Sequence, residues 1–339
     1  MWESMGVEVV YLSHDVFYRH FAGERHIERP DRLRAVEEGV SRSGLVIKPV
    51  TPERASREAL AMVHDPRYLD ALEQFCMQGG GSIDSDTHAV RDTWEASVRA
   101  AGSGLTAIPL LGPGTFALAA VRPPGHHATA NRAMGFCFLN NIAVAAAHLR
   151  AQGSRVAVVD WDVHHGNGTQ EIFEDDPGVL YVSIHQSPFY PLTGDIEDVD
   201  RGEGTTVNLP VPMWTGGDLY RRAFGELVEP IVVQFQPDWL LISAGYDAHE
   251  ADPLGGLRLD ASDYGFMSSR LRSVLPFAPT IVFLEGGYDI EALASGVDAT
   301  LRGLAQTDDF SAELESRSPP QAYQALEVAK RHAARFWSL

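Results

Sequence analysis

Five apolar, β-branched runs recur along the chain: Val7–Leu12, Thr115–Val121, Val156–Asp160, Trp239–Ser243 and Thr280–Leu284. Runs that are apolar at consecutive positions suit strands of a parallel sheet, which are buried on both faces. Val179–His185 and Thr206–Pro210 read as additional strands. Between the runs the pattern becomes helical. Asn140–Gln152 is alanine-rich and ends at Gly153, a C-terminal stop signal; Ala59–Phe75 is a second helix, and Leu219–Phe235 a third with a proline inside it. Thr307–Pro320 is the least ordered-looking stretch, and Gln321–Trp337 is a terminal helix. With no repeat and no low-complexity linker, residues 1–339 predict one doubly wound α/β domain.

In such sheets ligands bind beyond the carboxyl ends of the strands, where four chemically loaded segments fall. Arg122–Ala128 carries His126 and His127, Asp160–Gly168 finishes another strand, and Asp247 and Glu285–Tyr288 each follow a further one. Alternation along an extended strand puts Asp160, Asp162 and His164 on one side, with Asp247 near them. Closely placed carboxylates repel unless a cation neutralises them. Asp162, His164 and Asp247 form a three-ligand set with an open position; mixed oxygen and nitrogen donors suit Zn²⁺, and Fe²⁺, Co²⁺ or Mn²⁺ also fit. The competing use of an Asp and a His after a strand is to cap the next helix. His126 and His127 sit in a loop stiffened by Pro123 and Pro124, suited to proton transfer. Asp160 can orient one imidazole and Asn167 the other, and a carboxylate raises imidazole basicity more than an amide does. Tyr288, on a Gly-Gly turn, can donate to a developing oxyanion. The other histidines (14, 20, 26, 64, 88, 148, 165, 185, 249 and 332) read as structural.

The net charge of −19 without a basic face excludes a nucleic-acid partner and suits either a cationic substrate or plain solubility. Cys76 and Cys137 alone cannot build a disulfide framework or a four-cysteine zinc site. No basic segment precedes an apolar stretch and no long uncharged span follows, so the expectation is a cytoplasmic protein without a membrane partner. A homo-oligomer is compatible with the sequence, which does not specify one.

Together these segments resemble the histone deacetylase superfamily, including acetylpolyamine amidohydrolases and bacterial deacetylase-like amidohydrolases. The resemblance is carried by Glu28–Arg34, Arg122–Ala128, Gly135–Asn141, Val159–Gln170, Ser243–Ala248 and Leu284–Tyr288. Trp161, Asn167 and the Leu284–Tyr288 segment are more similar to the class II branch than to class I. The resemblance implies an arginase-like α/β fold around an eight-stranded parallel sheet and one catalytic Zn²⁺ on Asp162, His164 and Asp247. His127 would be general base and then acid, His126 its electrostatic partner tied to Asp160, and Tyr288 the group polarising the scissile carbonyl. Phe136 and Tyr190 would wall the acyl channel, Tyr190 standing where phenylalanine is expected, and the Gly135 carbonyl would accept the substrate amide N–H. Backbone oxygens around Asp160, Asp162, His164 and Ser183 would hold a structural K⁺, and Arg32 matches an arginine of the inner product channel.

The implied activity is deacetylation of N-acetyl-lysine or a small acetylated amine. Leu254 stands at the position of an acidic gate in polyamine-specific relatives, which disfavours strict polyamine specificity. Asp84 or Asp86 would bind a cation at the rim or cap the helix beginning near Thr93. The Arg25–Pro30 segment departs from the family's His-Pro-Glu-Arg-Pro at the site entrance. A binuclear ureohydrolase and a non-catalytic acyl-lysine binder are the alternatives from other classes.

Overall fold

The computed structural model describes residues 7–21, 23, 26–197, 204–311 and 318–339. Eight parallel strands form the central sheet: β1 (Glu8–Leu12), β2 (Val46–Val50), β3 (Phe116–Ala119), β4 (Val156–Asp160), β5 (Val179–Gln186), β6 (Thr206–Val211), β7 (Trp239–Ala244) and β8 (Thr280–Leu284). Their spatial order is β2-β1-β3-β8-β7-β4-β5-β6. Every residue of β4 and β8 is buried. Successive side chains of a strand point to opposite faces, so that burial requires both faces of the sheet to be covered. A separate hairpin pairs Gly80–Ser82 with His88–Val90.

All seven strands expected from the apolar runs are present, and β2 is an addition. It is an edge strand, half-exposed, and includes Lys48 and Pro49. Proline and lysine are tolerated at an edge and hide it from a search for apolar runs. Two expected helices differ in detail. Ala59–Phe75 divides into Arg57–Ala61 and Pro66–Met77. The Asp65 side chain accepts the Arg67 N–H and Pro66, lacking an N–H, occupies the first turn, so a new helix starts there. Gly217–Phe235 is continuous around Pro230 through a π-helical segment at Phe224–Val228. The Asn141–Ala151 helix is capped by the Asn140 side chain, which accepts the Ala143 N–H, and Gly153 has φ +86°. The terminal helix is Pro320–Ala333. Within Thr307–Pro320, residues 312–317 lie outside the described residues, as does Arg25 of the entrance segment. Among the described residues no helix is long and apolar enough to cross a membrane.

The topology positions the chemistry. β3, β8, β7, β4 and β5 are consecutive neighbours, so their carboxyl-terminal loops converge over the middle of the sheet. Register brings them level, with Asp160 opposite Ser243 on one side and Ser183 on the other.

Candidate active site

Asp162, His164 and Asp247 are buried and offer ligand atoms that all lie within 4.8 Å of one another. β4 ends at Asp160, so the convergence of Asp162 and His164 comes from a turn rather than from the pleat. In that turn Asp160 Oδ1 accepts the Asp162 N–H at 3.1 Å and Asp162 Oδ1 accepts the His164 N–H at 2.9 Å. The second Asp162 oxygen accepts the Gly286 N–H at 2.7 Å, and Asp247 Oδ1 accepts the Val163 N–H at 2.9 Å. Backbone donors thus fix both carboxylates. Neither aspartate nor histidine caps the following helix, Asn167–Phe173, which has no side-chain cap.

The donor set fits a divalent cation. His164 Nδ1 faces Asp162 Oδ1 at 3.0 Å and Asp247 Oδ2 at 3.2 Å, and one N–H cannot serve both. Asp247 Oδ2 is buried with no hydrogen-bond partner. Residue 286 must be glycine, because a Cβ there would lie 1.9 Å from that oxygen and 2.6 Å from Asp162 Oδ2. Without an ion the cluster holds protons instead. Burial would lower His164, but its two carboxylate neighbours push it up to about 9. Burial and then the Asp162 charge raise Asp247 to about 7. Two oxygens and one nitrogen are an open catalytic set of the kind used by Zn²⁺ and its neighbours in the transition series.

Asp160 stands outside this set. Its Oδ2 lies 3.0 Å from His126 Nδ1 and also accepts the Tyr181 hydroxyl at 3.2 Å. His127 Nδ1 instead faces Asn167 Oδ1 at 2.9 Å. The two imidazoles, 4.1 Å apart between centroids, are thereby driven in opposite directions. Burial disfavours a charged His126, but Asp162, Asp160 and Glu285 overcome it and raise the group to about 10. Burial, reinforced by the charges of His126 and His164, holds His127 well below the usual histidine range. Their surroundings thus favour the charged form of His126 and the neutral form of His127. Environments that split a pair of titratable groups this way mark acid–base roles.

A pocket of about 290 Å³ opens onto these groups. Phe136 and Tyr190 line it, and Phe189 joins them by stacking on the His164 ring at 5.1 Å. Gly135 and Phe136 both have positive φ, +54° and +67°. A Cβ at Gly135 would come within 2.4 Å of the His127 ring, so the wall passes as close to the base as backbone can. The Tyr288 ring stands edge-on to Phe136 at 5.9 Å and beneath the Arg32 guanidinium at 4.9 Å. Burial holds its phenol well above the usual tyrosine range, so it is a neutral donor. Asp86 and Leu254, both half-buried, also line the pocket. Asp84 does not; its Oδ1 accepts the Asp86 and Thr87 N–H groups in a turn. Neither carboxylate caps the Thr93–Ala107 helix, which starts after Asp92. Ser183 is buried beside Asp160 in register, with its hydroxyl 2.9 Å from His185 Nδ1.

Residues 26–304 match the histone deacetylase domain. The chain belongs to the histone deacetylase family. A probable deacetylase of Archaeoglobus fulgidus is 36% identical, with 96% of this chain and 97% of that protein aligned. Histone deacetylase 10, chloroplastic, of Oryza sativa subsp. japonica is 39% identical over 81% of this chain and 68% of its own length. The crystal structure of the HDA15 HD domain superposes with a TM-score of 0.87 at 34% identity, covering 98% of this chain and 95% of that one. Membership supports an amidohydrolase function of the deacetylase type.

Buried charges around this histone deacetylase site brace its loops, and Glu285, Glu28 and Asp252 among them have no role in the sequence pattern. Glu285 Oε2 accepts the N–H groups of Gly125 at 2.7 Å and His126 at 3.1 Å, bracing the histidine loop from β8. Glu28 bridges Arg122 and Arg32. Arg32 in turn donates to the carbonyls of Gly287, at 2.6 Å, and Glu285, so its guanidinium is spent on holding the tyrosine loop. Asp252 accepts the Tyr288 N–H at 2.6 Å. Glu28, Arg32 and Glu285 lie inside the segments that carry the family resemblance, the only sequence signal available for them.

Proposed function

We propose that this protein is a metal-dependent deacylase that hydrolyses the amide of an acylated primary amine, either N-acetyl-lysine or a small acetylated amine. The observation that carries the reading is the contrast of His126 facing the Asp160 carboxylate with His127 facing the Asn167 amide, beside a buried Asp–His–Asp cluster and a phenol. Zn²⁺ on Asp162, His164 and Asp247 is the proposed ion, with Fe²⁺ or Co²⁺ as chemically acceptable substitutes. Bound there, it would supply Lewis-acid polarisation of the acyl carbonyl and a more acidic water. A structural K⁺ is proposed at Asp160, Asp162, His164 and Ser183.

The chain's own groups divide the remaining work. Phe136 and Tyr190 flank the alkyl chain and exclude water, and the Gly135 carbonyl accepts the scissile N–H. His127, kept neutral, takes the proton of the attacking water and delivers it to the departing amine. His126 stays cationic against Asp160 and favours the build-up of negative charge nearby. Tyr288 donates its O–H to the acyl oxygen as charge develops there. An acetylpolyamine substrate is the second reading, favoured by the Asp86 carboxylate in the pocket lining and opposed by Leu254. Turnover of an acetyl-lysine peptide and of N-acetylputrescine by metal-defined protein, with Asp247→Ala as control, tests both. Hydrolysis of neither substrate would sink the function.

A further inference from the structure

Tyr288 follows two glycines, and Gly287 has φ +116°. Such a stretch does not by itself fix the direction in which the phenol leaves β8, so its aim must come from tertiary contacts. The Tyr288 backbone N–H donates to Asp252 Oδ2 at 2.6 Å, and the Asp289 N–H donates to the same oxygen at 3.2 Å. The other oxygen, Oδ1, accepts the Leu254 N–H at 2.9 Å. Asp252 is itself buried, and its own N–H donates to the His249 carbonyl at 2.9 Å. A carboxylate is acceptor-only at both oxygens, so it can face N–H groups on both sides; an asparagine would turn its NH₂ toward one of them. Leu254 and Tyr288 both line the pocket, from different loops.

We propose that Asp252 is a positioning residue that locks the Tyr288 phenol and the Leu254 wall of the pocket to one another. It touches neither substrate nor metal. It acts by holding the backbone from which the phenol is aimed, and it ties the backbone that carries Leu254 to the same carboxylate. This rests on the reading of Tyr288 as the donor to the acyl oxygen.

A double-mutant cycle tests it. Asp252→Asn, Tyr288→Phe and the double variant, all metal-loaded, are compared for kcat and KM on an acetyl-lysine peptide and for affinity toward an alkyl hydroxamate, whose carbonyl offers the phenol an acceptor. Asp252→Asn is expected to lower kcat roughly 10–100-fold with KM within about 3-fold, and to weaken hydroxamate binding about 5-fold or more. In the Tyr288→Phe background the same substitution should change either quantity by no more than about 2-fold, because the hydroxyl it aims is gone. Equal losses in both backgrounds overturn the proposal and leave Asp252 as a general support of the fold. If Asp252→Asn does not fold, Asp252→Ser, which keeps one small acceptor, enters the same cycle. If the wild-type chain turns over neither the acetyl-lysine peptide nor N-acetylputrescine, the function fails separately, and the hydroxamate arm still decides the role of Asp252.

Discussion

Replacing Tyr288 by phenylalanine isolates a single hydrogen bond. The ring is held by Phe136 at 5.9 Å and by the Arg32 guanidinium at 4.9 Å, and the backbone by Asp252. None of these contacts involves the hydroxyl, so a phenyl ring should occupy the same place. Burial keeps the phenol protonated, so the wild-type group is a donor throughout the neutral range. A donor aimed at a developing oxyanion in a dry site is worth about 2.7–4 kcal/mol, or roughly 10²–10³ in kcat. Because the bond strengthens as charge develops, KM should stay within about 3-fold. The assay is initial-rate release of the free amine from an acetyl-lysine peptide at saturating metal, with metal content and melting temperature matched to wild type. A kcat within about 3-fold of wild type would refute the role given to Tyr288.

Protons compete with the metal at His164. The group is raised to about 9 in the metal-free chain and must be neutral to ligate, so metal affinity should rise with pH and fall about tenfold per unit below that value, as titration calorimetry can follow. An affinity flat between pH 6 and 8 would contradict the ligand assignment. Asp247→Asn should strongly weaken metal binding yet leave the metal-free protein no less stable, since it keeps an acceptor for the Val163 N–H while removing a carboxylate that burial and the Asp162 charge raise to about 7. A lower denaturation midpoint for the metal-free variant would count against that account. His64 is a purely structural case: buried between the Thr129 carbonyl and the Asn140 N–H, it is lowered by desolvation to about 4. The unfolded chain takes up this proton below about pH 6.5 and the folded one only near 4, so stability is lost as pH falls through that window, by up to about 3 kcal/mol. His64→Gln should flatten that part of the pH dependence measured by chemical denaturation.

The central strands were legible because burial on both faces leaves continuous apolar runs, as at Val156–Asp160 and Thr280–Leu284. β2 was not, since an edge strand half in solvent has no such run. The residues of the metal cluster were legible for their chemistry, although the pleat argument that grouped them fails at Asp160, where the strand ends and a turn takes over. The split between His126 and His127 follows from what each ring faces, and the contrast of Asp160 with Asn167 was readable in kind from the sequence. The roles of Glu285, Asp252 and Phe189 were hidden for one physical reason. They act through backbone N–H groups or ring stacking across loops distant in sequence, and no local pattern encodes such contacts.

The most direct test counts metal and product on the same protein. Purified chain reconstituted with Zn²⁺ should hold one catalytic ion per chain and convert an N-acetyl-lysine peptide to free lysine peptide and acetate in equal amounts. Two catalytic ions per chain, or fully loaded protein that hydrolyses neither this peptide nor N-acetylputrescine, would contradict a mononuclear deacylase.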